Sequence, residues 1–327
     1  MSAITFGAFV PQGWRLELRD VRDPVEKYET MTRIAGEAEA AGYDSIWLFD
    51  HFHTVPTPEL ETTFECWTAL AGLARDTRRV RLGQMCTCGG YRPPALLAKM
   101  ASCVDVMSRG RVIVGIGAGW HEHEFRAYGY EFPDASVRLR QLQDALRVLE
   151  AMWTQDHASY EGRHHSVRGA INEPKPVQKP RPPLWVAGGG ERVTLKLAAR
   201  FGDACNVGGA PRVVRHKLDV LRQHCEAMGR DYASMVRSVN FSPIVGSPSE
   251  QRLVVAGVAR RSGRSEREVR YLHTPCTPEQ AAERFQEYVD AGANYFIYGP
   301  PHGGQEGVLA RFASEVIPLV QGTQAHL

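Results

Sequence analysis

Apolar and polar positions along the chain follow two periods. Short, almost continuous apolar runs such as SIWLFD (45–50) and RVIVGIG (111–117) read as strands buried on both faces. Between them lie longer stretches with apolar residues three and four apart, the spacing of a helix with one buried stripe. The pattern predicts strands at 4–10, 45–50, 81–87, 111–117, 184–188, 203–207, 238–245 and 294–298. It predicts helices at 25–41, 63–75, 95–107, 137–153, 193–200, 213–228, 278–291 and 307–320. Gly42 stops the first helix, and Pro93-Pro94 introduce the third. Strands alternating with helices imply a parallel sheet with right-handed crossovers. An α/β (β/α)8 TIM barrel is one solution and an open doubly wound sheet the other. Two stretches break the rhythm: 155–183, rich in Pro, Gly and His, and 247–277, charged and rich in Arg. In a barrel both are expected to shape a pocket at the strand ends. The chain, 1–327, reads as one domain carrying these insertions.

Composition narrows the class. A chain of 327 residues, 43% of them hydrophobic, buries enough surface to offset its ordering entropy. A net charge of +2 argues against nucleic acid as a partner. No apolar run approaches the roughly 20 residues of a membrane span. Met1-Ser2-Ala3 carries no basic segment, so no leader is expected. The seven cysteines are odd in number and include no C-x-x-C pair, which predicts reduced thiols in a cytoplasm.

The chemistry sits where barrels keep it, at the C-terminal ends of strands. The second strand ends Asp50-His51-Phe52-His53, an acid beside imidazoles able to carry a proton near neutral pH. A capping Asp with a surface His is the plain alternative. The third runs into Met85-Cys86-Thr87-Cys88-Gly89-Gly90, where glycines allow close backbone approach. The fourth ends Gly117-Ala118-Gly119-Trp120-His121-Glu122-His123-Glu124. This is neither G-x-G-x-x-G, which fails at Trp120, nor H-E-x-x-H, which fails at Phe125. The H-x-H pairs His51/His53 and His121/His123 raise a metal-dependent barrel hydrolase. No clear carboxylate or Lys set completes such a site, so no metal is expected. The fifth strand ends in Gly188-Gly189-Gly190 directly before a helix, bare backbone suited to a phosphate. No Walker Lys accompanies it, so the phosphate would belong to a bound cofactor.

Together, AGYDSIWLFDHF (41–52), YRPPALLAKM (91–100), GRVIVGIGAGWHEHEFRAYG (110–129), EPKPVQKPRPPLWVAGGGERVTLKLAARFGD (173–203) and AGANYFIYG (291–299) resemble the luciferase-like flavin and deazaflavin oxidoreductases. The resemblance runs nearly the whole chain and is strongest to members using coenzyme F420, with FMN the alternative cofactor. It implies a (β/α)8 barrel without a metal. By the same resemblance, His51 would be the catalytic acid–base beside the ring, and Asp50 would touch the ring. Met85, Cys86 and Thr87 would form a bulge behind it, where relatives often have a non-proline cis peptide. Gly117, Gly119 and His123 would border the cofactor, and Gly188, Gly189 and Gly190 would hold its phosphate. Trp120 and His53 would face substrate. Sugar-phosphate dehydrogenases of the family carry a catalytic Glu where this chain has Trp120, which points away from sugar oxidation. The expected activity is hydride transfer between F420 and a small organic substrate, as a reductase of C=C or C=N bonds. The alternatives are a two-component FMN monooxygenase, the metal hydrolase and a non-catalytic flavin binder. Relatives are often homodimers.

Overall fold

The computed structural model describes residues 4–301 and 303–322. Met1-Ser2-Ala3, on which the leader expectation rests, lie outside them. Among the described residues no helix is long and apolar enough to cross a membrane. The first half runs β1 (Thr5–Phe9), α1 (Pro24–Ala40), β2 (Ser45–Leu48), α2 (Cys66–Asp76), β3 (Arg81–Gln84), β4 (Thr87–Cys88), α3 (Pro94–Met107), β5 (Val112–Gly117), α4 (Glu122–Ala127) and α5 (Ala135–Thr154). The second runs β6 (Ala158–Glu161), β7 (Ser166–Ala170), β8 (Leu184–Ala187), α6 (Thr194–Phe201), β9 (Ala204–Asn206), α7 (Pro211–Ala227), β10 (Val236–Asn240), α8 (Pro248–Ser262), α9 (Glu266–His273), α10 (Pro278–Asp290), β11 (Tyr295–Tyr298), α11 (Val308–Glu315) and α12 (Ile317–Gly322).

The strand order is β3-β2-β1-β11-β10-β9-β8-β5, every pair is parallel, and β3 also pairs with β5. That last pairing closes the sheet, so the barrel solution holds over the open one. Alternation along each strand divides the core in two. Trp47, Trp185, Met85, Ile113, Tyr295 and Ile297 fill the barrel. Ile46, Leu48, Leu82 and Val114 face outward onto the helices. Trp47 needs Gly83 beside it: a Cβ there would lie 2.4 Å from the indole.

The third strand is split into β3 and β4. The Met85–Cys86 peptide between them is cis, as the resemblance implied. The expected last helix divides into α11 and α12, because Pro318 has no N–H to continue the ladder. The hydrophobic pattern missed α4, α8 and α9, and the last two are each opened by a capping box, Ser247 with Glu250 and Ser265 with Glu268.

The two insertions go to opposite ends. The 247–277 stretch leaves β10 at the C-terminal face and forms α8 and α9 around a small core of Ile244, Val255 and Val269. The 155–183 stretch leaves α5 and forms the β6–β7 hairpin at the N-terminal face. Gln178 Nε2 there donates to the carbonyl of Val112, the first residue of β5, at 2.8 Å. His164 N donates to Asp144 of α5 at 2.8 Å. The expectation that this first insertion shapes the pocket is therefore corrected. It connects a helix to the next strand, and such connections lie opposite the mouth.

Candidate active site

His51 follows β2, and its ring is almost sealed, at 7% exposure. Its Nδ1 lies 2.8 Å from Oε2 of Glu124, which sits in the first turn of α4. Glu124 is fully buried and accepts further bonds from Tyr91 Oη at 2.8 Å, from Phe52 N and from His53 N at 3.3 Å. Burial alone would raise its pKa. The bonds from His51, Phe52 N and Tyr91 outweigh that and hold it at about 2. The carboxylate is therefore ionised and accepts only, so His51 carries its hydrogen on Nδ1 and keeps Nε2 for the site. Trp14, in the loop after β1, stacks on the imidazole at 4.7 Å and 16°. The arrangement sets the tautomer and orientation of the imidazole from behind.

Asp50, which the resemblance placed against the ring, is held by groups of the protein itself. Its carboxylate takes a bidentate pair of bonds from Arg92, at 2.7 and 2.9 Å, and a third from Cys88 N at 2.8 Å. With a side-chain exposure of 0% it offers no open oxygen to a ligand. Arg92 also reaches Glu65, the N-cap of α2. The Asp50–Arg92 pair thus ties the end of β2 to β4 and the start of α3. Thr87 is similarly turned away, its buried hydroxyl accepting from Trp67 Nε1 at 3.2 Å. Met85 points into the barrel's inner cluster.

The bulge at Met85-Cys86 is packed by glycines of β5 and its exit. A Cβ on Gly115 would lie 1.9 Å from the Gln84 carbonyl oxygen, and one on Gly117 would lie 2.7 Å from Cys86 Sγ. Gly119, at φ +79°, leaves room for Cys88 Sγ and Phe125. Burial raises the Cys86 thiol pKa to about 12, helped by the Asp50 charge, so it is an inert thiol. Gly188, Gly189 and Gly190 cross from β8 towards α6, whose N-cap, Val193, has no side-chain capping bond. A Cβ on Gly189 would lie 3.5 Å from Lys217 Cε of α7. Lys217 Nζ is held by Glu191 at 2.6 Å. A lysine of the next helix thus lies beside the glycine turn, with its ammonium paired to Glu191.

A cavity of about 500 Å³ opens over the ends of β1, β2, β10 and β11 and under α8 and α9. Trp14, Phe9 and Phe49 form its aromatic wall, the last two stacked at 4.2 Å and 18°. Arg15, Arg261 and Arg264 supply cations, and Glu17 is an acid whose pKa burial raises. Trp120 stands 64% exposed with its ring edge-on to His51 at 6.1 Å. Where no metal set was expected, His53, His121 and His123 present ring nitrogens within 4.8 Å of one another. Burial pushes His121 below the ordinary imidazole range against the pull of Glu124, and the neighbouring imidazoles push the same way.

Glu124, Tyr91, Arg92, Trp14 and Lys217 were not picked out from the sequence. Glu124 falls within both the failed H-E-x-x-H run and the resembling segment 110–129, with no role attached. Tyr91 and Arg92 lie inside a resembling motif with no role attached. Lys217 sits well after the glycines, and only the α6–α7 packing brings it back to them.

Comparison with known proteins fits this geometry. An F420-dependent glucose-6-phosphate dehydrogenase of Kineococcus radiotolerans is 29% identical over 316 residues, covering 88% of this chain and 91% of that one. Among solved structures, an F420-dependent secondary alcohol dehydrogenase bound to an F420–acetone adduct superposes with a TM-score of 0.80 at 21% identity, covering 98% and 99% of the two chains. An EDTA monooxygenase of a Chelativorans species superposes with a TM-score of 0.78 at 18% identity, covering 99% and 95%. The family model described as luciferase-like monooxygenase matches residues 4–273, and the chain belongs to that family.

Proposed function

We propose that this protein is an F420-dependent oxidoreductase, with His51 as its acid–base group. The observation that carries the mechanism is the bond from His51 Nδ1 to an ionised, fully buried Glu124 at the barrel mouth. The F420 reading is supported by the similarity to F420-dependent dehydrogenases over most of the chain. Two separate features suit such a group: a bare glycine turn with Lys217 beside it for a phosphate, and the aromatic wall of the cavity, whose Trp14 stacks on His51, for a planar ring. When bound, F420 supplies the hydride chemistry, and its 5-deazaflavin reacts poorly with oxygen. The chain does the rest. Gly188–Gly190 and Lys217 hold the anionic tail. Gly117 and Gly119 let the Met85-Cys86 bulge and Cys88 pack closely against the end of β5, and the backbone there would border the cofactor together with His123. Trp14 and Glu124 fix the His51 ring, and Nε2 gives a proton to the substrate or takes one from it. Trp120 and His53 line the approach.

The direction we propose is reduction of a C=C or C=N bond. Trp120 occupies the position where sugar-phosphate dehydrogenases of the family carry a Glu, so a second carboxylate is missing there. The proposal extends to a cytoplasmic homodimer, with Leu96, Val106 and Met107 of α3 exposed as apolar surface for a two-fold contact. Light scattering of the purified protein at rising concentration reads the dimer directly. The functional test is steady-state turnover of reduced F420 with enones and imines by wild type and His51→Ala. Loss of about 10²–10⁴-fold in kcat, with F420 affinity within a few-fold, is the expected result. Equal turnover by the variant contradicts the role of His51. A two-component FMN monooxygenase is the second reading, favoured by the likeness to a monooxygenase structure. Substrate-dependent oxygen consumption with reduced FMN would select it.

A further inference from the structure

His53, His121 and His123 lie beside the His51–Glu124 pair, and the acid–base step uses none of them. We propose that these three imidazoles form a site for a divalent transition-metal ion of the zinc class. Their ring nitrogens lie within 4.8 Å of one another. His53 Nδ1 is 3.0 Å from the Thr54 carbonyl, which can only accept, so Nδ1 carries the hydrogen and Nε2 presents a lone pair. A metal-bound His is oriented in this way, by a carbonyl on its other nitrogen. His53 Nε2 and His123 Nδ1 are 3.3 Å apart. Zinc–nitrogen bonds of about 2.0–2.1 Å at a tetrahedral angle place two ligand nitrogens roughly 3.3–3.4 Å apart. The observed pair, joined by a hydrogen bond between the two rings, already has that ligand edge. His121 closes the third side, with ring centroids 5.9 Å from His53 and 6.1 Å from His123. Its Nε2 is sealed from solvent without a hydrogen-bond partner.

Three imidazoles without a carboxylate suit a borderline ion such as zinc, and poorly suit calcium or magnesium. The fourth position would be left to water or a ligand oxygen. His51 is excluded from the set because its Nδ1 is bound to Glu124. The position of the site gives the ion a consequence. His53 lies two residues after His51 in the loop that follows β2. His121 and His123 open α4, whose first turn carries Glu124. An ion here fastens together the two segments that hold the acid–base pair.

The test uses untagged, chelator-stripped protein without F420, titrated with Co(II) as a coloured stand-in for zinc. The expected result is one equivalent bound at micromolar concentration or tighter, with the strong visible bands of a four-coordinate nitrogen site that zinc then abolishes. His53→Ala and His123→Ala should each weaken binding by at least about 100-fold. His51→Ala should leave it unchanged. Both mutated ligands are partly or fully exposed, and a thermal scan checks that each variant is folded. Absence of Co(II) bands at millimolar ion overturns the site. So does binding that survives His53→Ala and His123→Ala, or binding that needs His51. Because no cofactor is present, this outcome is independent of the F420 reading.

Discussion

At the scale of single residues, Glu124 is the group on which the site depends. Its pKa of about 2 against the ordinary 4.5 means that the carboxylate is more stable ionised in the folded chain than in the unfolded one. A depressed pKa of this kind contributes stability above the unfolded value, and that contribution is lost as pH falls from 4.5 towards 2. The size is on the order of 3 kcal/mol. Chemical denaturation of Glu124→Gln should therefore show a flatter loss of stability than wild type between about pH 5 and pH 3. A wild-type slope unchanged by the substitution contradicts the ionised, buried carboxylate. The same substitution should lower kcat by more than about tenfold with little change in KM, because it disorients His51 rather than removing a contact with substrate. Lys217→Ala should weaken cofactor binding by about tenfold or more, the worth of one charge-assisted phosphate contact. Fluorescence titration reads that loss, and unchanged affinity moves the phosphate away from Gly188–Gly190.

At the scale of elements, the bulge at Met85-Cys86 and strand β5 fit only if position 115 has no side chain. Gly115→Ala puts a Cβ against backbone, 1.9 Å from the Gln84 oxygen, where nothing flexible can yield. We expect destabilisation of at least about 1–3 kcal/mol, seen as a lowered denaturation midpoint. An unchanged midpoint contradicts the packing described. The period of apolar residues made the strands of the barrel and most of its helices legible, with ends displaced by a few residues. It failed where a different signal governed. Helix α8 has one fully buried position, Val255, with Val254, Val258 and Ala259 packed beside it, and α9 has one, Val269, so each apolar face is small and sits in a stretch rich in Arg and Glu. Their start signals, Ser247-Pro248-Ser249-Glu250 and Ser265-Glu266-Arg267-Glu268, were legible instead. The site divided similarly. Motif resemblance pointed to His51 and the glycine turn, and local spacing did not show the partners that hold them, Glu124 and Lys217. The resemblance placed Asp50 against the ring, and the structure adds that its carboxylate is paired with Arg92, 42 positions away. A partner that distant is set by the β2–β4 neighbourhood and not by local spacing.

At the scale of the whole molecule, the barrel separates stability from function along its axis. The β6–β7 hairpin belongs to the stable end. Tyr160 Oη donates to Asp144 at 2.8 Å there, far from His51 in the fold. Tyr160→Phe should cost about 1 kcal/mol and leave kcat/KM unchanged. A change in kcat/KM would mean that the two ends are coupled. The mouth, built from loops after β1, β2 and β5 and from α8–α9, holds the aromatic wall, the acid–base pair and the cations together. The central claim is that this mouth binds a deazaflavin in preference to a flavin. The most direct measurement is titration of the purified apo-protein with F420 and, separately, with FMN, followed by ligand fluorescence. Micromolar or tighter F420 binding with FMN bound far more weakly is the predicted result, and preference for FMN, or binding of neither, would contradict it.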